Sequence, residues 1–218
     1  MSIALSLGNN LITNGVFKPA AVNNTSVTNV TNFASVPAGG ALFLLSTQTA
    51  SSSASIEFTS GIDSTYDSYI FKFINIHPST TAYFGFQVST DSGSTYATTV
   101  TNTYFHAQHN EGDTYTNLTY DGGNDQAQGT GLVRLHQGID HDTADENGSG
   151  FLHLFNPSSS VFVKHYIARN VDMANTYMQD AFAAGYFNTT TAVDAIKFQM
   201  NTGNIDDGII KMYGVKKS

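Results

Sequence analysis

Residues 82–90, Ala82-Tyr-Phe-Gly-Phe-Gln-Val-Ser-Thr90, alternate large apolar side chains with polar or small ones. Phe84, Phe86 and Val88 occupy every second position, which is the period of a β-strand with one buried face. Segments of this kind, separated by clusters of Gly, Ser, Asn and Asp, continue from Ala41 to Val215. The pattern predicts an all-β protein built from antiparallel strands.

The alternation and its interruptions predict about eleven strands. The predicted strands are Ala41–Thr47, Ser53–Thr59, Ser68–Ile76, Ala82–Thr90, Thr101–Gln108, Gly131–Leu135, Gly150–Phe155, Val161–Val171, Ala181–Phe187, Val193–Met200 and Asp207–Val215. Eight or more antiparallel strands commonly remove exposed edges by packing as two sheets or by closing into a barrel. We therefore predict an antiparallel β-sandwich, specifically a jelly roll, for residues 41–218.

Three local features complete this prediction. Asp91–Ser94 is predicted to form a hairpin loop, and Asn201–Asn204 to turn between the two strands of a closing C-terminal hairpin. Residues 172–184 are predicted as the single helix, because Met173 and Tyr177 fall near helical spacing in that segment.

The composition restricts the classes of function. Charged residues make up 12% of the 218 residues, about half of the roughly 25% that is usual. Nine Lys and Arg against seventeen Asp and Glu give a net charge of −8, which argues against binding nucleic acid. The chain has no Cys, which excludes a disulfide framework and a thiolate nucleophile. No stretch approaches the about 18 apolar residues of a membrane span, so we expect a soluble protein.

Residues 1–40 differ in composition from the rest of the chain. Lys18 is their sole charge, and residues 22–32 are almost entirely Asn, Thr, Ser and Val. Too few large apolar side chains are present to form a core, so we predict an extended arm that becomes ordered against a neighbouring protein. A leading edge strand is the alternative. The predicted partner contacts of the arm are its larger apolar side chains, Phe17, Val22, Val27, Val30 and Phe33.

Residues 111–146 are rich in carboxylates, which raises the question of a calcium site. The pattern Asp140-x-Asp142 resembles the start of an EF-hand loop, but Ala144 occupies the third ligand position and no Glu occupies the twelfth. The sequence therefore favours a solvated acidic loop over an ion site.

The histidines do not suggest a metal centre. His106 and His109 lie three positions apart on a predicted strand, where they would point to opposite faces. His153 and His165 lie within strand patterns, where a hydrogen-bonded buried or interfacial histidine is the usual case. We predict neither a metal site nor a cofactor.

The chain also lacks the recognised signatures of an enzyme. It contains no Gly-x-Ser-x-Gly turn and no phosphate-binding glycine loop. A glycoside hydrolase would need two carboxylates roughly 5 to 9 Å apart, and Glu57 is expected to face solvent on its strand. We predict a protein without catalytic residues.

Exposed aromatic side chains in loops are candidates for binding. Tyr115 and Tyr120 lie in or near predicted loops, where their rings could stack on a sugar. The alternative, contact with another subunit, is favoured.

Five blocks of sequence resemble recurring segments of tailed-bacteriophage virion proteins. They are Ser51–Asp67, Tyr69–Pro78, Ser89–Tyr96, Gly148–Ser159 and Ala192–Gly214. The blocks span most of the chain from Ala41 onward and leave the arm outside the resemblance. Proteins of this kind have no defined catalytic centre, so the resemblance implies a structural role.

The resemblance implies one of two places in a virion. The favoured one is a capsid cement or decoration subunit, a homotrimeric β-sandwich or jelly roll that lies on the capsid surface and bridges the major capsid protein. The alternative is a tail-fibre or receptor-binding module whose loops at residues 111–125 and 140–147 contact a host glycan. The head is favoured because the chain has no heptads or internal repeats that could form a fibre shaft.

Overall fold

The computed structural model describes residues 12–13, 16–17 and 42–215, and every regular element among them is a β-strand. The strands are β1 (Ile12–Thr13), β2 (Val16–Phe17), β3 (Leu42–Ser53), β4 (Ile56–Phe58), β5 (Ser68–Pro78), β6 (Phe84–Ser89), β7 (Val100–Asn110), β8 (Thr116–Tyr120), β9 (Gln126–Gly129), β10 (Val133–Arg134), β11 (Gly148–Phe155), β12 (Lys164–Ala174), β13 (Tyr177–Phe187), β14 (Ala195–Met200) and β15 (Ile205–Val215).

β1 and β2 form a small antiparallel pair in which Ile12 lies opposite Phe17. Phe17, one of the predicted arm contacts, therefore has its backbone in β2. The other four predicted arm contacts lie outside the described residues: Val22, Val27, Val30 and Phe33. The function of the arm stays a prediction.

Residues 42–215 form two antiparallel sheets packed against each other. The larger sheet has nine strands in the order β3-β15-β5-β11-β12-β13-β7-β8, with β9 paired to β7 on the edge that β8 also occupies. The smaller sheet has four strands in the order β10-β6-β14-β4. The predicted antiparallel β-sandwich is confirmed.

The jelly roll is not confirmed. A jelly roll places eight strands in two Greek keys, whereas this sandwich has sheets of nine and four strands. In addition, β11, β12 and β13 follow one another as neighbouring antiparallel strands of the larger sheet. The two sheets are thus unequal, and the smaller one is opposed by a much wider partner.

Two connections that the sequence predicts as hairpins cross between the sheets instead. β6 and β7 flank Asp91–Ser94, but β6 pairs with β10 and β14 whereas β7 pairs with β13. β14 and β15 flank Asn201–Asn204, and they also belong to different sheets. Both hairpin predictions are wrong, because alternation identifies a strand without identifying its partner.

The predicted helix at residues 172–184 is also wrong. The segment contains the end of β12, a two-residue turn and most of β13, with Met173 opposite Met178 across the hairpin. Asn175 in the turn has φ of 56°, a left-handed conformation that asparagine adopts more readily than most residues. The near-helical spacing of the apolar residues arises from two strands that face each other.

The core is organised around one aromatic ring. Phe198 of β14 is fully buried, and its ring packs against phenylalanine rings from both sheets. Its ring centroid lies 5.2 Å from Phe73, 5.4 Å from Phe71, 5.8 Å from Phe84, 6.2 Å from Phe58 and 6.3 Å from Phe86. This cluster joins β4, β6 and β14 of the smaller sheet to β5 of the larger one.

Part of the inner face of the larger sheet is polar and is covered by residues 133–140. Asn170 donates a hydrogen bond to the Leu135 carbonyl oxygen (3.2 Å), and Gln179 donates one to the Gly138 carbonyl oxygen (3.1 Å). The Asp172 carboxylate accepts one from the Gln137 backbone N–H (3.3 Å). These buried side chains supply hydrogen-bond partners for the irregular backbone that follows β10.

Two ionisable groups in this polar layer are held neutral. Burial lowers the pKa of His136 to about 3. Burial raises the pKa of Asp172 to about 8, although backbone hydrogen bonds from Gln137 and Gly138 partly offset that effect. Neither side chain carries a charge in the folded protein near pH 7.

We predict that Phe198→Ala lowers the free energy of unfolding by about 3 to 5 kcal/mol, because it leaves a cavity among five neighbouring rings. Urea denaturation followed by circular dichroism measures this change. The matched control is Leu118→Ala, where the residue is 74% exposed and the expected change is within about 0.5 kcal/mol. Equal losses for the two variants would contradict the central position of Phe198.

We predict that His136 makes the protein less stable as the pH falls from about 7 toward 3. The unfolded chain binds a proton at this histidine near its ordinary pKa of about 6.5, whereas the folded protein does not until about pH 3. The stability advantage of the wild-type protein over His136→Gln should therefore shrink between pH 7 and pH 4. Urea denaturation across this range measures it.

For Asp172→Asn we predict the opposite dependence of stability on pH. The unfolded chain loses the Asp172 proton near pH 4 and the folded protein keeps it to about pH 8, so wild type loses stability as the pH rises. The free energy of unfolding of Asp172→Asn should therefore rise relative to that of wild type between pH 4 and pH 8. If the free energy of unfolding of both variants changed with pH as it does in wild type, the conclusion that His136 and Asp172 are uncharged in the folded protein would be wrong.

Candidate interaction surface

A polar cleft of about 470 Å³ opens between β3 and β4, and Gln48, Glu57 and Asp63 contribute to its lining. Glu57 is half-buried rather than simply exposed to solvent. Its carboxylate accepts hydrogen bonds from the Tyr96 hydroxyl (3.1 Å) and the Ser55 hydroxyl (3.1 Å). The Glu57 carboxylate is thus already engaged by neighbouring hydroxyl groups.

The structure separates the paired histidines. His106 points to the inner face of β7 and is 4% exposed, whereas His109 is exposed and lies 3.1 Å from Asp113. Among residues 42–215 and the two short strands before them, no group of three His, Asp or Glu side chains could hold a metal ion.

One carboxylate of the acidic stretch is buried, contrary to the prediction of a wholly solvated loop. Glu146 is 5% exposed, and it accepts backbone hydrogen bonds from Thr143 (3.0 Å) and Asn175 (3.1 Å). It ties the acidic loop to the turn between β12 and β13. The acidic stretch also contains β8 and β9, which the sequence left as loop.

The most extensive candidate surface is the outward face of the larger sheet, which we define as the side turned away from the smaller sheet. All but three of the exposed large apolar or aromatic side chains of residues 42–215 lie on it. They are Leu42, Leu44, Ile74, Phe105, Leu118, Tyr120, Phe151, Ile167, Val171 and Met178.

The strand register arranges the centre of this face as an aromatic row. Tyr120, Phe105, Phe182, Arg169 and Phe151 are successive cross-strand partners, one from each of five neighbouring strands. The rings of Phe105 and Phe182 stack with centroids 4.8 Å apart and an interplanar angle of 4°. Directly opposed residues share one face of a sheet, so the row is continuous.

The one charged member of the row is neutralised within the face. Arg169 donates two hydrogen bonds to Asp180, at 2.7 and 3.1 Å, and its guanidinium lies 4.9 Å from the Phe182 ring centroid. The aromatic row therefore carries little net charge, although it is open to solvent.

An antiparallel sheet that faces water on one side normally carries polar residues there. The outward face carries apolar ones across most of its width, and extended exposed patches of this kind mark interaction surfaces. The geometry suits contact with another protein surface better than it suits capture of a small molecule.

The two candidate glycan-binding tyrosines are not brought together. Tyr115 lies at the turn between β7 and β8, where its ring packs against Tyr177 with centroids 5.6 Å apart. Tyr120 ends β8 on the aromatic row, and its hydroxyl donates a hydrogen bond to Asp125 (2.5 Å). The length of β8, about 17 Å for five residues, separates them.

Sequence reasoning missed the outward face, although a signal for it exists. The segment Gly150-Phe-Leu-His-Leu-Phe155 has apolar or aromatic residues at consecutive positions rather than at alternate ones. Runs of this kind are typical of strands that are covered on both faces.

Comparisons with protein-family models, curated proteins and solved structures found no match to this chain. Within the described part of the chain, no helix is long and apolar enough to cross a membrane. A functional inference therefore rests on the surface described above and on the sequence resemblance.

We predict that Ile167→Lys changes the free energy of unfolding by no more than about 0.5 kcal/mol, because Ile167 is 52% exposed on the outward face. The variant should also bind less of a hydrophobic fluorescent dye than wild type. Leu152→Lys, one strand away at a fully buried position, is the matched control and should prevent stable folding. A large stability loss for Ile167→Lys would mean that this face is already covered in the monomer.

Proposed function

We propose that this protein is a non-catalytic structural subunit of a bacteriophage virion, a capsid cement or decoration protein that bridges copies of the major capsid protein. The outward face is the observation that carries the proposal, because it offers a broad and rigid contact surface with exposed apolar side chains on most of its strands. Lys72 lies next to Phe151 on this face, and Lys211 lies next to Lys72. The resemblance of five sequence blocks to tailed-bacteriophage virion proteins supplies the setting.

The proposed mechanism is stabilisation by burial. A standard protein contact buries about 800 Å² on each partner, and the exposed apolar residues of the outward face supply surface of this kind. A subunit that binds only the assembled capsid lattice stabilises that lattice by mass action. In this proposal the arm lies across neighbouring capsid subunits, and the sandwich associates with copies of itself as a homotrimer.

A tail-fibre or receptor-binding module is the second candidate. It is favoured by the exposure of Tyr115 (42%) and Tyr120 (57%) on the hairpin of β7 and β8 at one edge of the sheet. Rings at such positions could stack on a host glycan, although each tyrosine would have to act at a separate subsite.

Immunogold labelling of intact virions, with antibody raised against the purified protein, tests the proposal. We expect gold particles over the whole capsid surface. Label confined to the tail tip would reject the cement function and support the receptor-binding alternative. Absence of label from both places, with the antibody shown to bind the purified protein, would reject both.

A further inference from the structure

Two exposed apolar side chains form the tip of the connection between β11 and β12. Val161 and Phe162 are each 68% exposed, and we call this pair the apolar tip. The Ser159 hydroxyl oxygen accepts hydrogen bonds from the backbone N–H groups of both residues, at 3.1 and 3.0 Å. The tip is therefore held in a defined conformation.

A buried lysine reinforces this conformation. Lys164 is fully buried, and its ammonium group donates hydrogen bonds to the carbonyl oxygens of Phe162 (2.8 Å) and Thr189 (3.2 Å). At the base of the loop, the Val193 N–H donates to the Pro157 carbonyl oxygen (2.8 Å). An aromatic side chain on a pre-organised loop loses little entropy on binding, which favours an anchor function.

The outward face contains an apolar depression at the other end of β12. It has a volume of about 300 Å³, and its lining includes Val171, Met173 and Met178 with Asn147 and Ser149 at its polar side. We call it the methionine pocket. Asp172 of β12 also belongs to the lining, but its side chain is buried and accepts a hydrogen bond from the Gln137 backbone N–H on the inner face.

The tip and the pocket of one copy cannot meet. Residues 162 and 173 lie at opposite ends of β12, about 35 Å apart at the rise of an extended strand. A tip that docks into this pocket therefore belongs to another molecule.

We propose that the apolar tip of one copy docks into the methionine pocket of the next copy. The chemistry matches, since thioether groups make favourable contacts with aromatic rings and adapt their shape to them. The volume is sufficient for a phenyl ring with part of the neighbouring valine. Charge at the tip does not oppose the contact, because Val161 and Phe162 are both uncharged.

This contact is heterologous, since it joins two different surfaces. A dimer held by one such contact retains one free tip and one free pocket, so the contacts either close into a ring or continue as a filament. A closed ring of three copies is the homotrimer of the proposed function. The inference rests on the self-association in that proposal but not on the location of the protein in a virion, which immunogold labelling tests separately.

A mixing experiment with two variants of the full chain tests the contact. Phe162→Asp removes the tip and Met178→Arg obstructs the pocket. Analytical ultracentrifugation should show that each variant alone is monomeric, with the dissociation constant raised at least about 100-fold. Their equimolar mixture should form a heterodimer and nothing larger, because one intact tip and one intact pocket remain.

Leu118→Asp is the matched control, as it places the same charge at another exposed apolar position outside the tip and the pocket and should assemble like wild type. Circular dichroism verifies that every variant is folded. A monomeric wild-type protein at about 100 μM, or variants that still assemble alone, would overturn the proposal. So would an equimolar mixture that stays monomeric.

Cross-linking gives a second and more direct measurement, because the chain has no cysteine of its own. Val161→Cys within the tip and Asn147→Cys at the polar side of the pocket leave Phe162 and both methionines of the pocket intact. Oxidation of the mixed proteins should yield mainly the disulfide between positions 161 and 147. Predominant 161–161 dimers, or the same yield with Ser94→Cys in place of Asn147→Cys, would overturn the proposal.

Discussion

The packing of Phe198 against phenylalanines of both sheets is the contact on which the rest of this structure depends. Aromatic rings bury large areas and interlock in specific geometries, so a cluster of them fixes both the spacing and the relative position of two sheets. Around it, Phe86 extends the cluster to Tyr166 and Phe187, at 5.1 and 5.8 Å between ring centroids. The smaller sheet is thereby fixed over the middle of the larger one.

The inequality of the two sheets has consequences on both faces of the larger one. On the inner face, the smaller sheet does not cover all nine strands, and residues 133–140 complete the layer. Irregular backbone at such a place needs hydrogen-bond partners, which accounts for the buried Asn170, Asp172 and Gln179. On the outward face, no third layer is present among the described residues, and apolar side chains remain open to solvent.

The outward face and the apolar tip share one physical property, which is the exposure of apolar side chains in a fixed conformation. The aromatic row is held by pairing with neighbouring strands on both sides, and the tip is held by Ser159 and by the buried Lys164. Surfaces that are ordered before binding retain more of their contact energy as affinity. This property connects the proposed structural function with the proposed head-to-tail contact.

The sequence by itself determined the class of fold and much of the strand inventory, because alternation with a period of two is a local property. Each predicted strand has a counterpart within a few residues, whereas β8 and β9 were missed because their apolar alternation is too short to detect. β8 has only Leu118 and Tyr120, and β9 has only Ala127. The opposite faces of His106 and His109 also followed from local geometry.

Strand partners, sheet sizes and the outward face were decided only by the tertiary structure. Hairpins at Asp91–Ser94 and Asn201–Asn204 fit the local turn signals, yet both segments cross between sheets. Phe86 before the first segment and Phe198 before the second lie in the smaller sheet and pack across the sandwich against Tyr166 and Phe73, whereas the strands that follow pair in the larger sheet. The prediction of a helix at residues 172–184 was wrong for the same reason, since the spacing of its apolar residues came from two strands paired with each other. Pairing is a long-range choice among strands of similar pattern, and burial against distant residues makes that choice.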